Sequence, residues 1–132
     1  MTKQGQTRAG WVLTILVGLF LAMDAGMKLA ALPVVVETQA AMGWPAQAAS
    51  ARLLGGILAG CLALYLWPRT AVLGAVLLTG YLGGAIATHL RIGSPLASHT
   101  FFGVYVGLVL WAALWLRLPG LRPVLISPPA RS

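Results

Sequence analysis

The sequence predicts an all-α, polytopic membrane protein: a four-helix transmembrane bundle forming a single domain over residues 1–132, with both termini on the cytoplasmic side. Three observations lead there. Of the 132 residues, 59% are hydrophobic and only 8% are charged, against roughly 45–50% and about 25% in a water-soluble domain. The apolar residues fall into four runs close to the ~20 helical residues that span a hydrocarbon core. The charges collect at the ends of those runs rather than along one face. This balance excludes an ordinary soluble enzyme, and equally a disordered regulator, which needs few apolar residues and much charge.

The first span runs from residue 11 to 32, between Trp11 and the breaker Pro33. The second covers 48–67 and stops at Trp67-Pro68-Arg69. The third covers 70–90 and runs out at Arg91-Ile92-Gly93-Ser94-Pro95, and the fourth covers 100–117 and ends at Arg117-Leu118-Pro119-Gly120. Proline lacks an N–H and fixes φ, so it belongs at such boundaries. The tail, 118–132, holds Pro119, Pro123, Pro128 and Pro129 and reads as an extended, flexible end. The first span could be mistaken for a cleaved leader, but its apolar stretch is long and Asp24 interrupts it without a clean A-x-A site, so it reads as a retained helix.

Orientation follows from the excess of Lys and Arg in cytoplasmic loops. With the N-terminus inside, Lys3, Arg8, Arg69, Arg117, Arg122 and Arg131 all lie on the cytoplasmic side. The outer half keeps Lys28, Arg52 and Arg91 against Asp24 and Glu37. The net charge of +7 therefore speaks of topology. No basic stripe is interleaved with aromatics, so no nucleic-acid partner is expected. Cys61 is the only cysteine, which excludes an internal disulfide, a CxxC pair and a cysteine-based zinc site.

Small residues recur at spacing four: Gly18/Ala22/Gly26, Gly56/Gly60, Gly80/Gly84/Thr88 and Gly103/Gly107. Lipid offers no hydrophobic drive for helix association, so close backbone contact must supply it. These stripes predict tight seams within the bundle, and the same surfaces could make a homo-oligomer. Asp24 and Lys28 stand four apart on the first span, on one face and in the favourable order. They point roughly 140° away from the Gly18/Ala22/Gly26 stripe. An ionisable group in a membrane helix is costly unless paired or wet, which makes it a functional candidate. The pair reads either as a self-neutralising insertion device or as part of a ligand cavity.

Other polar groups gather at the same outer level: Arg52, Tyr81, Thr88, His89 and Arg91, with Glu37 and Gln39 in the first outer loop and His99 before the last span. Tyr81 and Thr88, seven apart, share a helix face. The inner half is apolar up to its arginines. An outward-opening polar pocket is expected, with Asp24, Lys28, Arg52, Tyr81, Thr88, His89 and Arg91 as ligand-binding candidates. Arg52 and Arg91 read equally as headgroup anchors and His99 as a solvated loop residue. No GxGxxG, P-loop, GxSxG or HExxH occurs. The spacing of two acids and two histidines gives no support for a metal site, and haem ligation would need both histidines on opposite ring faces.

The segments Asp24-Ala25-Gly26-Met27-Lys28-Leu29, Arg69 through Arg91 (RTAVLGAVLLTGYLGGAIATHLR) and Ser94-Pro95-Leu96 together resemble the DoxX-like membrane proteins of bacteria. The resemblance covers roughly residues 10 to 118 and all four spans. It implies a small four-helix bundle in the bacterial cytoplasmic membrane, and it marks Asp24, Gly26, Lys28, Tyr81, Gly84, His89 and Arg91 as family positions without giving their roles. Namesake members are membrane subunits associated with thiosulfate:quinone oxidoreductase or quinol oxidase. A quinone, or another small oxyanion-bearing molecule, is accordingly the expected ligand, with redox chemistry left to a cofactor or a partner protein. Two other readings stand beside it: a structural or assembly protein whose charges satisfy only one another, and a small-solute transporter acting as an oligomer. A channel would need a polar path through both halves, and the inner half offers none.

Overall fold

Helix α1 spans Lys3–Leu29 and starts a full two turns before the apolar run, because Thr2 caps it: its hydroxyl accepts from the Gly5 N–H at 3.1 Å. A side-chain oxygen there satisfies one of the orphan donors of the first turn. In the computed structural model, which describes residues 2–127, five further α-helices follow: α2 (Pro33–Ala41), α3 (Ala48–Leu66), α4 (Ala71–Arg91), α5 (Phe102–Arg117) and α6 (Leu121–Ile126), with a π-helical turn at Leu96–Thr100 ahead of α5. Among the described residues there are no strands. Four segments are long and apolar enough to cross a membrane: Lys3–Leu29, Ala48–Leu66, Ala71–Arg91 and Leu96–Arg117.

Besides the early start of α1, which was expected at residue 11 and lies at Lys3, two further boundaries differ from the sequence expectation. The first span was expected to continue to Pro33; α1 instead ends at Leu29, and Ala31 turns the chain with φ +48°. Pro33 then opens α2 at its first position, where its missing N–H costs nothing and its fixed φ suits a helix. The tail expected to be extended from residue 118 contains α6. Arg122 holds it: its guanidinium donates to the Trp115 carbonyl and to Gln6 Oε1 at 3.2 Å, and lies 5.6 Å from the Trp115 ring centroid. Pro123 falls in the first turn of α6, a position a proline tolerates. Pro128, Pro129 and Arg131 lie outside the described residues.

The four long helices alternate in direction and close a ring. Helix α1 packs on α3 and α5, and α4 completes the circuit against both. The interior is a column of Val17, Leu21, Leu58, Leu62, Leu78, Leu82, Leu110 and Leu114. Outward faces carry large apolar side chains such as Leu16, Leu19, Leu53, Leu73, Val76 and Leu108, as lipid contact requires. We call the end at which α1 begins basal and the other apical.

The expected glycine seams are not the observed ones. A Cβ built at Gly26, Gly56, Gly60, Gly80 or Gly84 meets no atom within 4 Å, and one at Gly18 or Gly107 makes ordinary contact. Of the four stripes, only Gly103 is at a close approach, its Cβ falling 2.9 Å from Ile86 Cγ1. The other tight crossings are at Gly10, where a Cβ would fall 2.8 Å from the Ala113 carbonyl oxygen, at Gly55, where it would fall 2.8 Å from the Leu29 nitrogen, and at Gly74, which lies against the Tyr65 backbone.

The ring leaves two diagonals, α3 with α5 and α1 with α4, that do not pack helix on helix among the described residues. The basal half of the first is filled. Tyr65, with no exposed surface, donates its hydroxyl to the Leu110 carbonyl at 2.8 Å. Arg117, only 7% exposed, donates to the Tyr65 carbonyl at 3.2 Å and stacks 4.5 Å from the Trp11 ring and 5.2 Å from the Tyr65 ring. The apical half of the second diagonal is not filled in this way.

Candidate functional site

The apical gap between α1 and α4 is where polar side chains converge. In the last turn of α1, Lys28 pairs with Asp24 four residues earlier. The Lys28 ammonium lies 5.8 Å from the centre of the Tyr81 ring, within the ~6 Å at which a cation is attracted by an aromatic face. Lys28 is held down by its neighbours, since its Cβ lies against the close crossing at Gly55. Tyr81 and His89 are eight residues apart and two turns of α4 bring both to the same side. His89 shares a hydrogen bond of 3.0 Å with the Ser94 hydroxyl, and its ring centre is 6.0 Å from that of His99.

Helix α2 folds back over this gap. It contributes Gln39, which is 3% exposed, and neither the amide oxygen nor the amide nitrogen has a hydrogen-bond partner. A buried amide without partners forfeits on the order of 1–3 kcal/mol, and this one lines two of the clefts around the centre. Three clefts surround the centre and share walls. One of about 220 Å³ lies between α1, α4 and α5 and is lined by Asp24, Tyr81, His89, His99 and Thr100 among others. A second of about 220 Å³ lies between α2, α3 and α4, with Gln39, Trp44, Leu54, Gly80, Gly84 and Tyr81 in its walls. A third, also about 220 Å³, runs between α1 and α2 past Asp24, Lys28, Thr38 and Gln39.

Of the residues singled out in the sequence, Asp24, Lys28, Tyr81 and His89 are therefore brought together. Thr88 lines the second cleft with Tyr81, the face the seven-residue spacing predicts, but its hydroxyl donates to the Gly84 carbonyl of its own helix at 2.9 Å. Arg52 and Arg91 stand apart from the centre and tie down helix ends. Arg52 Nε donates to the Leu29 carbonyl at 3.3 Å, and Arg91 donates to the Met42 carbonyl at 2.7 Å. Cations at these last carbonyls satisfy orphan acceptors and complement the helix dipole. Both arginines are exposed.

Gln39 was visible in the sequence only as a polar residue in the outer loop. The signal that marks it is helical spacing: Val35, Gln39 and Met42 follow i, i+4, i+7, and all three line the α1–α2 cleft. Arg117 likewise continues the buried series Leu110, Ala113, Leu114 on α5, a series that places it inside rather than in a solvated girdle. Among the described residues no group of three or more His, Cys, Asp or Glu could hold a metal ion. The apical centre offers an ammonium, a carboxylate, an amide, a phenol and an imidazole around apolar walls. That set suits binding a carbonyl- or hydroxyl-bearing molecule and exchanging protons with it.

Residues 12–113 match the model of the DoxX-like family. No curated protein and no solved structure matches the chain.

Proposed function

The chain belongs to the DoxX-like family, and from that premise we propose that it is a membrane-embedded binding subunit that takes a lipid-soluble, quinone-class molecule at the apical polar centre. The observation that carries this reading is Gln39. An amide that is 3% exposed and unpaired at both atoms, facing clefts shared with Lys28 and Tyr81, is the pattern of a site that completes its hydrogen bonds with a ligand. The donor set fits the proposed molecule. Lys28, the Gln39 amide and the Tyr81 hydroxyl can donate to ring carbonyls, Asp24 fixes Lys28, and His89 can exchange a proton with a ring hydroxyl. A quinone supplies two-electron redox chemistry when bound, and in this reading the electrons belong to a partner protein. In this reading the apical end faces outward from the bacterial cytoplasmic membrane, a sense supported by the excess of Lys and Arg at the basal end.

Native mass spectrometry of the protein in mild detergent, with an oxidised-minus-reduced optical spectrum of the same sample, tests the reading. A bound quinone-sized mass and a redox-active chromophore are the expected result, both lost in Lys28→Met while the fold persists. Binding unchanged in Lys28→Met would remove the polar centre from the site. A ligand-free wild type that also fails to take up added decyl-benzoquinone would favour the structural reading.

A further inference from the structure

We infer that the ring of the ligand lies in the slot between α2, α3 and α4, that it reaches this slot sideways from the lipid, and that Gln39 selects it by its polar edge. The inference rests on the proposed function and adds the location, route and recognition chemistry.

The slot has a floor without side chains. Gly80 and Gly84 are one turn apart on α4, and a Cβ built on either meets no atom within 4 Å. Trp44, Met42 and Leu54 form the opposing apolar walls, and Gln39, Tyr81, Thr88 and His89 supply the polar edge. Bare backbone facing an indole leaves a flat gap, the shape that accepts a planar ring. The volume of about 220 Å³ lies below the ~300–1,000 Å³ of pockets that enclose drug-sized molecules. It accommodates one substituted ring and leaves any alkyl tail outside.

The route follows from depth. Gly80 is the tenth of the 21 residues of α4, which places it near the middle of the span. Both glycines are exposed along the flank of the bundle, beside the outward-facing Val76, Leu77, Leu53 and Ile57. The opening therefore meets acyl chains, so the occupant is lipid-soluble. The cleft on the other side of Tyr81, Ala85 and His89 is lined by Asp24, His99 and Thr100; its more polar lining suits water and proton exchange. The recognition chemistry follows from the amide, which presents a donor and an acceptor side by side. It matches a ring edge bearing a carbonyl next to a hydroxyl or another donor, and it also donates to a carbonyl alone.

The experiment is a titration of decyl-benzoquinone against the full chain in phosphatidylcholine nanodiscs, read by quenching of tryptophan fluorescence, to which Trp44 in the slot wall contributes. Wild type should show saturable quenching. Gly84→Leu fills the slot from a position where a Cβ meets no other atom, so it should weaken binding at least tenfold with a thermal midpoint no lower than that of wild type. Gly84→Ala should weaken it less, which keeps the test valid if the leucine variant misfolds. Gln39→Leu should weaken binding about tenfold and raise the thermal midpoint, because it removes an unpaired buried amide. Gly56→Leu, on the outward face of α3, should bind as wild type. Wild-type affinity in a folded Gly84→Leu or Gly84→Ala protein overturns the slot; if Lys28→Met still abolishes binding, the ligand sits on the α1–α4–α5 side and the functional reading stands. Equal weakening in Gly56→Leu also overturns the slot. Absence of saturable quenching in wild type overturns both.

Discussion

Arg117 shows how a cation is kept inside the bundle without a carboxylate beside it. The chain has two acids, Asp24 and Glu37, and Asp24 is committed to Lys28 at the other end. Arg117 relies instead on the Tyr65 carbonyl and on the faces of Trp11 and Tyr65, while its Nε stays without a partner. A planar, weakly hydrated guanidinium can use such surroundings and an ammonium cannot. Arg117→Lys should therefore lower stability by about 1–3 kcal/mol. Arg117→Leu should cost less than the lysine, because it buries no charge. Urea or SDS unfolding in detergent orders the two, and a lysine variant as stable as wild type would remove the stacking argument. The Asp24–Lys28 pair gives a second prediction at this scale. Asp24→Asn and Lys28→Met should each destabilise more than the two together, since a lone charge is the costly state. The Asp24 side chain is 36% exposed, so the single penalties should stay below the ~3–5 kcal/mol of a fully buried pair. The residues at the apical centre were legible because charge in an apolar helix is conspicuous. Arg117 was not, because position at a span end suggests a solvated girdle and only tertiary contact reveals the sandwich.

Among the elements, hydropathy made the four spans legible, and breakers placed most of their ends within one or two residues. What hydropathy does not show is which glycine faces a neighbour. Every stripe at spacing four looks alike in sequence, yet of those stripes only the last contributes a close crossing, at Gly103. The rotation of each helix, fixed by the whole ring, decides the rest. The difference is measurable. At Gly74 a Cβ would overlap the backbone of Tyr65, which cannot move aside as a flexible side chain can. Gly74→Ala should therefore cost about 1–3 kcal/mol or more through overpacking. Gly60→Ala, facing open space, should stabilise by up to ~1 kcal/mol through helix propensity. Equal effects in thermal unfolding would show that the α3–α4 seam is not where Gly74 sits. Helix α2 was missed because a proline after an apolar run reads as a stop, whereas Pro33 is a start. Two residues with positive φ, Ala31 and Gly43, bracket it. The Arg91 guanidinium fills the space a side chain at Gly43 would need. Gly43→Ala should therefore both strain the turn and push Arg91 from the Met42 carbonyl, loosening α2 and weakening decyl-benzoquinone binding without contact to the slot floor.

For the whole molecule, a ring of four helices has two diagonals, and this chain treats them differently at its two ends. The basal diagonal is closed by Tyr65 and Arg117; the apical one is bridged, among the described residues, by Lys28 over Tyr81 and covered by α2. A packed, closed end and a polar, open end make the bundle directional, so on the proposed function its orientation decides which compartment exchanges protons with the site. The cations support the proposed sense. Lys3, Arg8, Arg69 and Arg122 lie at the basal end with no acid among them, whereas Lys28, Arg52 and Arg91 at the apical end are offset by Asp24 and Glu37. On the proposal that this bias keeps Lys and Arg on the cytoplasmic side, the polar centre faces outward. A green fluorescent protein fused after Ser132 should fluoresce, and alkaline phosphatase fused at the same point should be inactive. Adding lysines to the apical turn around Gly43 and Trp44 should erode that preference, since the bias depends on short loops near span ends. The reverse result, an active phosphatase after Ser132, would place the polar centre on the cytoplasmic face. The slot would keep its access from lipid, because that access lies on the flank of the bundle and is the same in either orientation. Only the side from which His89 and His99 exchange protons would change.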